Sequence, residues 1–265
     1  MVNAPGGAFR RGTVPAGEFT LDYAEAGPAD APVTLVSLPG SAGLEMSTAK
    51  DCLIDAYRVI EINPPGWGGR TDVDRPLPQS ELGDLLAEAA TALVDGPFVV
   101  LGTSMGGTNA LYLAANVSDQ VRGIVLEGSM APSRPEDLRM PPPAEDATPK
   151  DPKDYPLPPV HPNKPWATHE YMAQQMAHRM AMFRWTPADM EAASAIAEIR
   201  DRGLPVLALL GAEDEILSPS QEKTIRQTLP HADFRLVPEG GHDLQNTVPD
   251  AFVSLIRSFV SGLQK

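Results

Sequence analysis

The 265-residue sequence predicts an α/β fold, a mostly parallel sheet flanked by helices on both faces. Three observations predict it. Strand-like apolar runs recur at 33–38, 57–62, 97–102, 121–127, 205–210 and 232–237. Helical patterns fall between or after them at 79–94, 105–116, 219–229 and 248–263. Several of the runs end in glycine-bearing turns, where a parallel sheet carries its working loops.

In chain order, Glu18 to Ala26 alternates roughly and reads as an early antiparallel strand. Val33 to Leu38 is a β-branched apolar strand that runs into Pro39-Gly40-Ser41-Ala42-Gly43. The next run leads into Asn63-Pro64-Pro65-Gly66-Trp67-Gly68. Trp67 there is either the wall of a pocket or the anchor of its loop. Cys52, the one cysteine, falls in a predicted helix and reads as a small buried hydrophobe. Phe98 to Leu101 precedes Gly102-Thr103-Ser104-Met105-Gly106, and a helical stretch follows it. Pro205 to Leu210 ends in Gly211-Ala212-Glu213-Asp214, and Ala232 to Val237 ends in Pro238-Glu239-Gly240-Gly241-His242.

The alternation breaks between 131 and 200. Residues 132–165 hold 12 of the 28 prolines, too many for regular helix or a central strand. Tyr155, Leu157, Val160 and Trp166 can anchor this stretch to the surface. Thr168 can cap a helix over Glu170 to Phe183, and a second helix is expected to begin near Thr186-Pro187. Met172, Met176 and Met180 recur at i, i+4 and i+8 and so share one helical face. That face either packs on the core or forms, with Met130, an adaptable apolar ceiling over a substrate pocket.

Strand, sharp turn and helix around Ser104 make the setting of a nucleophile elbow, in which a strained turn lifts a hydroxyl above the sheet edge. A serine hydroxyl is a poor nucleophile until a base takes its proton, and the base needs an acid to orient it. Of five histidines, only His242 sits in a glycine-rich loop after the last predicted strand. The acid is open among Asp214, Glu213 and Glu215, with Glu127 at the end of the preceding strand and Asp243 beside the base.

In these motifs and their order the chain resembles the α/β-hydrolase superfamily over nearly its whole length. The resemblance rests on residues 38–43, Asn63 to Gly68, 102–107, Gly211 to Asp214 and Gly240-Gly241-His242. It implies a triad in the order Ser104, Asp214, His242, because the superfamily places its acid three residues after the glycine. It implies an oxyanion hole built from the backbone N–H groups of Ser41 and Met105, with Gly40 beside the substrate. Many relatives carry His-Gly where Pro39-Gly40 stands here. It further implies a core of residues 1–130 and 201–265, interrupted by a cap at 131–200.

The reaction so implied is hydrolysis of a small to medium, mostly apolar carboxylic ester or lactone through an acyl-enzyme. No cofactor or metal is expected. The elbow also resembles that of carbon–carbon bond hydrolases acting on vinylogous diketones, although those relatives carry Trp after the catalytic His and Asp243 stands here. A non-catalytic ligand receptor on the same fold is a third reading. A formal charge of −14 argues against nucleic acid or an anionic membrane as partner. The single cysteine, the lack of a signal-like apolar segment near Met1 and the lack of a long apolar run lead to the expectation of a cytoplasmic protein acting on a small molecule.

Overall fold

The computed structural model describes residues 4–117, 119–139 and 160–263. Its strands are β1 (Arg10–Ala16), β2 (Phe19–Ala26), β3 (Thr34–Leu38), β4 (Arg58–Ile62), β5 (Phe98–Thr103), β6 (Val121–Glu127), β7 (Val206–Gly211) and β8 (Asp233–Val237). The helices are α1 (Thr48–Leu53), α2 (Gln79–Leu93), α3 (Met105–Asn116), α4 (His169–Met182), α5 (Ala193–Arg202), α6 (Gln221–Thr228), α7 (Leu244–Thr247) and α8 (Pro249–Leu263).

Among the described residues the strands form one sheet in the order β1-β2-β4-β3-β5-β6-β7-β8. The pairs β1/β2 and β2/β4 are antiparallel and every other pair is parallel. The central strands are apolar on both faces because both faces are covered. In β5, Phe98 and Val100 pack beneath α2, α3 and α5, while Val99 and Leu101 pack with α1 and α8 on the other side. The chain reverses its direction of travel between β3 and β5. At such a switch point the loops leaving two adjacent strand ends diverge and open a crevice. The loop at 39–43 and the turn at Ser104 leave there, from strands in register at Leu38 and Gly102.

The first strand was not legible in the sequence. β1 carries Arg10, Arg11, Gly12 and Pro15, a composition tolerated because this edge strand pairs on one side only. α1 is the helix expected around Cys52, and its six residues bury Ala49, Lys50 and Leu53. Cys52 therefore faces solvent, against the expectation of a buried thiol.

Between β6 and β7 the expected α4 is present, with Thr168 Oγ1 accepting from Tyr171 N at 3.2 Å. The second helix starts at Ala193 and not near Pro187. The carboxylate of Asp189 accepts from the amides of Glu191 and Ala192 and from Tyr112 Oη, which holds the chain in a loop up to that point. α5 packs Ala195, Ile196 and Ile199 into the same core face as α2 and α3. Tyr155 and Leu157 lie outside the described residues. No described helix is long and apolar enough to cross a membrane.

Candidate active site

Ser104 caps the N-terminus of α3 with φ 54° and ψ −121°, one of three described non-glycine residues with positive φ. The strained turn is tied down from both sides. Ser104 N donates to Glu127 O at 2.9 Å, and Ser104 O accepts from Met130 N at 3.0 Å. Gly106 is required by close approach, since a Cβ there would collide with the Leu38 and Pro39 carbonyl oxygens. The loop after β3 thus lies directly on the start of α3.

The three residues implied by the resemblance meet. His242 Nε2 lies 3.0 Å from Ser104 Oγ, and His242 Nδ1 lies 2.9 Å from Asp214 Oδ2. The other oxygen of Asp214 accepts from Ile216 N and Leu217 N, each at 2.8 Å, so the carboxylate is fixed by the backbone that follows β7. Gly128 has φ +48°, and a Cβ there would press on His242 Nδ1 at 3.1 Å. Glu215 Oε2 accepts from the backbone N–H of His242 at 3.2 Å.

The electrostatics follow from these contacts. Burial disfavours the imidazolium of His242, and Arg179 opposes it too. The hydrogen bond and charge of Asp214, with Glu215 behind, outweigh both and raise the pKa above the ordinary value. Burial likewise works against the Asp214 carboxylate, but His242 and the two amides hold its pKa below the usual range.

Among the described residues no other candidate acid hydrogen-bonds the His242 ring. Glu127 Oε2 accepts from Thr103 Oγ1 at 2.7 Å and from Gln245 Nε2 at 2.5 Å, and its Oε1 accepts from Gln245 N at 3.0 Å. Burial, with the charge of Asp243, pushes its pKa up to about 7. Asp243 turns to Lys164 Nζ at 2.5 Å and to Asn246 Nδ2. Glu213 lines the cavity, and its backbone N–H donates to Gly240 O at 2.8 Å.

Ser104 and His242 open into a cavity of about 440 Å³. Pro39, Gly40, Ser41 and Ala42 line it beside Ser104, and a Cβ on Gly40 would stand 3.6 Å from Ser104 Cβ. Met105 begins α3 immediately after the serine, so its amide points from the helix start, where partial positive charge gathers. Met172 and Met176 reach the cavity. Three other residues expected there do not. Trp67 is fully buried in the core and donates from Nε1 to Thr186 Oγ1 at 3.0 Å, so it anchors its loop. Met130 packs against the core, and Met180 falls off the face that lines the cavity. The ceiling is also far less apolar than the methionine spacing suggests. The face of α4 toward the cavity alternates Met172 and Met176 with Gln175 and Arg179.

A buried polar network that sequence reasoning missed lies beside this cavity. Lys50 Nζ pairs with Glu61 and donates to Glu45 O at 2.9 Å, and Glu61 also accepts from Ser37 Oγ and Glu45 N. Burial lowers the Lys50 pKa to about 8 against the pull of Glu127, Glu45 and Asp243. Ser47 Oγ then donates to Gln245 Oε1 at 2.8 Å, and Gln245 Nε2 donates to Thr103 Oγ1 at 2.9 Å, next to the serine. The one available signal was Glu61, a carboxylate between two isoleucines in a mostly buried strand.

A model of the alpha/beta hydrolase family matches residues 12–255. Pimeloyl-[acyl-carrier protein] methyl ester esterases of Neisseria meningitidis serogroups A and C are each 28% identical to this chain, over 238 and 234 residues. These alignments cover 78% of this chain and 69% and 84% of the relatives. Among solved structures, a meta-cleavage product hydrolase from Pseudomonas fluorescens superposes with a TM-score of 0.71 at 18% identity, covering 95% of this chain and 97% of that one. A thermophilic esterase from Thermogutta terrifontis gives 0.65 at 18% identity, covering 97% and 100%. At that identity these two share the fold with this chain.

Proposed function

The chain belongs to the α/β-hydrolase family, and on that premise we propose that it is a serine hydrolase that cleaves a carboxylic ester of small to medium size through an acyl-enzyme. The observation that carries the reading is the unbroken contact series Ser104 Oγ, His242 Nε2, His242 Nδ1, Asp214 Oδ2, at 3.0 and 2.9 Å. The methyl ester esterase names of the relatives support an ester as the bond class.

Ser104 Oγ attacks the ester carbonyl as His242 Nε2 takes its proton. Negative charge gathers on the carbonyl oxygen, and the N–H groups of Ser41 and Met105 are the proposed donors to it. Such donors act mainly in the transition state, where losing one typically costs about 3 kcal/mol. The tetrahedral species collapses, and the imidazolium gives its proton to the departing alkoxide, releasing the alcohol. Water then enters, His242 removes its proton, and attack on the acyl-enzyme releases the acid and restores Ser104. Asp214 holds the imidazole tautomer throughout and stabilises the cation. Residues 131–200 serve as the cap, and Met172 and Met176 on α4 support that reading because they line the roof of the cavity.

The test joins labelling to turnover. A fluorophosphonate probe is expected to label wild type at one site per chain and Ser104→Ala at none. A panel of chromogenic esters should be hydrolysed by wild type alone. Stoichiometric labelling of Ser104→Ala at another serine, or turnover of a vinylogous diketone with no ester hydrolysis, would overturn the assignment.

A further inference from the structure

Among the described residues, one cation on the cavity wall has no hydrogen-bond or ion-pair partner. Lys50 pairs with Glu61, and Lys164 pairs with Asp243 and lies near Glu45. Arg179, on the wall formed by α4, makes no hydrogen bond or ion pair among the described residues, and its Nε is sealed from solvent. One helical turn earlier, Gln175 Oε1 is also enclosed and unpartnered, and both residues line the cavity that holds Ser104 and His242. Residues four apart on a helix are neighbours on one face, so the idle guanidinium and the idle amide stand side by side.

A guanidinium does not shed its proton to escape this situation. Burial disfavours the Arg179 cation, and Glu45 and Glu215 compensate only through space. Leaving a partly buried charge and a buried amide oxygen unmatched costs folding stability, and a ligand that matches them recovers it. A planar anion suits the guanidinium fork, and the Gln175 amide, turned over, donates to the same anion. A monoanion suits this cavity better than a dianion, because Glu45, Glu213, Glu215 and Glu239 line it as well. The charge of Arg179 is felt at His242, so a group held by Arg179 lies within electrostatic reach of the reacting centre.

We propose that Arg179, with Gln175 beside it, binds a free carboxylate on the substrate, so that the preferred substrate is an ester that also bears a carboxylate. This rests on the esterase reading above and narrows its substrate class. It also departs from the mostly apolar substrate that the methionine spacing suggests.

The experiment measures kcat/KM on two matched pairs. One pair is mono-para-nitrophenyl glutarate and its methyl ester, with the charge on the acyl side. The other is para-acetoxybenzoate and its methyl ester, with the charge on the leaving alcohol. In at least one pair wild type is expected to favour the carboxylate about tenfold or more, and Arg179→Gln to lower that ratio by about tenfold to hundredfold. Arg179→Lys keeps the charge without the fork and should fall between. Any influence of Arg179 on His242 or on folding acts on both members of a pair and cancels in the ratio. A ratio unchanged by Arg179→Gln in both pairs overturns the proposal. Hydrolysis of neutral esters with no preference for the carboxylate also overturns it and leaves the esterase reading standing. If no ester is hydrolysed, that reading fails, and calorimetry with monomethyl glutarate, a monoanion, decides the site. Binding to wild type that is lost in Arg179→Gln supports it, and absence of binding overturns it.

Discussion

Thr103 and Glu127 stand opposite each other at the ends of β5 and β6, and Thr103 Oγ1 donates to Glu127 Oε2 at 2.7 Å. The residue before the elbow serine is thereby fastened to a carboxylate on the next strand. That carboxylate is fastened in turn to Gln245, three residues beyond His242. The two loops that bring Ser104 and His242 together share one buried acid, whose carboxylate touches neither of them.

This acid makes stability depend on pH. Burial raises the Glu127 pKa from 4.5 to about 7. A carboxyl whose folded pKa is raised contributes stability that is fully present below the unfolded pKa and is lost as pH rises through the folded one. The span corresponds to about 3 kcal/mol at most. Urea unfolding is therefore expected to show wild type losing stability between pH 4.5 and about 8. Glu127→Gln should show a smaller loss over the same range. Parallel pH curves for the two proteins would exclude Glu127 as the source.

The buried pair of Lys50 and Glu61 leads to a second expectation. Both side chains are almost fully enclosed, so removing one charge strands the other. Lys50→Met should destabilise the protein by about 3–5 kcal/mol, and Glu61→Gln added to it should recover most of that. Denaturation midpoints of the two variants check this. An additive double variant would mean that the charges do not depend on each other.

Much of the fold and of the candidate triad is readable in the sequence because each rests on local chemistry. A parallel strand buried on both faces is a continuous apolar run, and the turns after β5, β7 and β8 announce themselves by glycine. Ser104 and His242 are marked by their own neighbours. What the sequence hides is set by contacts between distant segments. The spacing of Met172, Met176 and Met180 gives a common face but not what that face meets. α4 is half-buried along nearly its whole length, so Gln175 and Arg179 share the wall with the methionines while Met180 leaves it. Trp67 is fixed by Thr186, 119 residues away, and no local pattern foretells that bond. Arg179 is invisible for the same reason, since only the folded cavity shows that it lacks a partner.

The raised pKa of His242 sets the acid side of the rate profile. A base works only when neutral, so kcat/KM should rise with pH through a midpoint above the ordinary imidazole value of 6.5. Glu215 is one cause of that elevation. Glu215→Gln should move the midpoint toward lower pH, because the imidazolium loses a neighbouring negative charge. A midpoint that stays in place, or a flat profile with chemistry shown to limit the rate, would count against His242 as the base.

The last expectation separates the two buried acids nearest the base. Asp214 Oδ2 meets His242 Nδ1 at 2.9 Å, while the oxygens of Glu127 are taken up by Thr103 and Gln245. An asparagine at 214 can present an N–H where the imidazole needs an acceptor, which favours the tautomer with its free lone pair turned away from Ser104. The corresponding change costs on the order of 10⁴ in kcat in the best-studied triad. Asp214→Asn is therefore expected to lose activity by several orders of magnitude while keeping its circular dichroism spectrum. Glu127→Gln acts only through Thr103 and the His242 loop, and it should cost about tenfold or less in kcat, an effect on positioning and not on the proton relay. Should Glu127→Gln be the crippled variant and Asp214→Asn keep its rate, the orienting acid sits at the end of β6 and the contact between His242 and Asp214 is only structural.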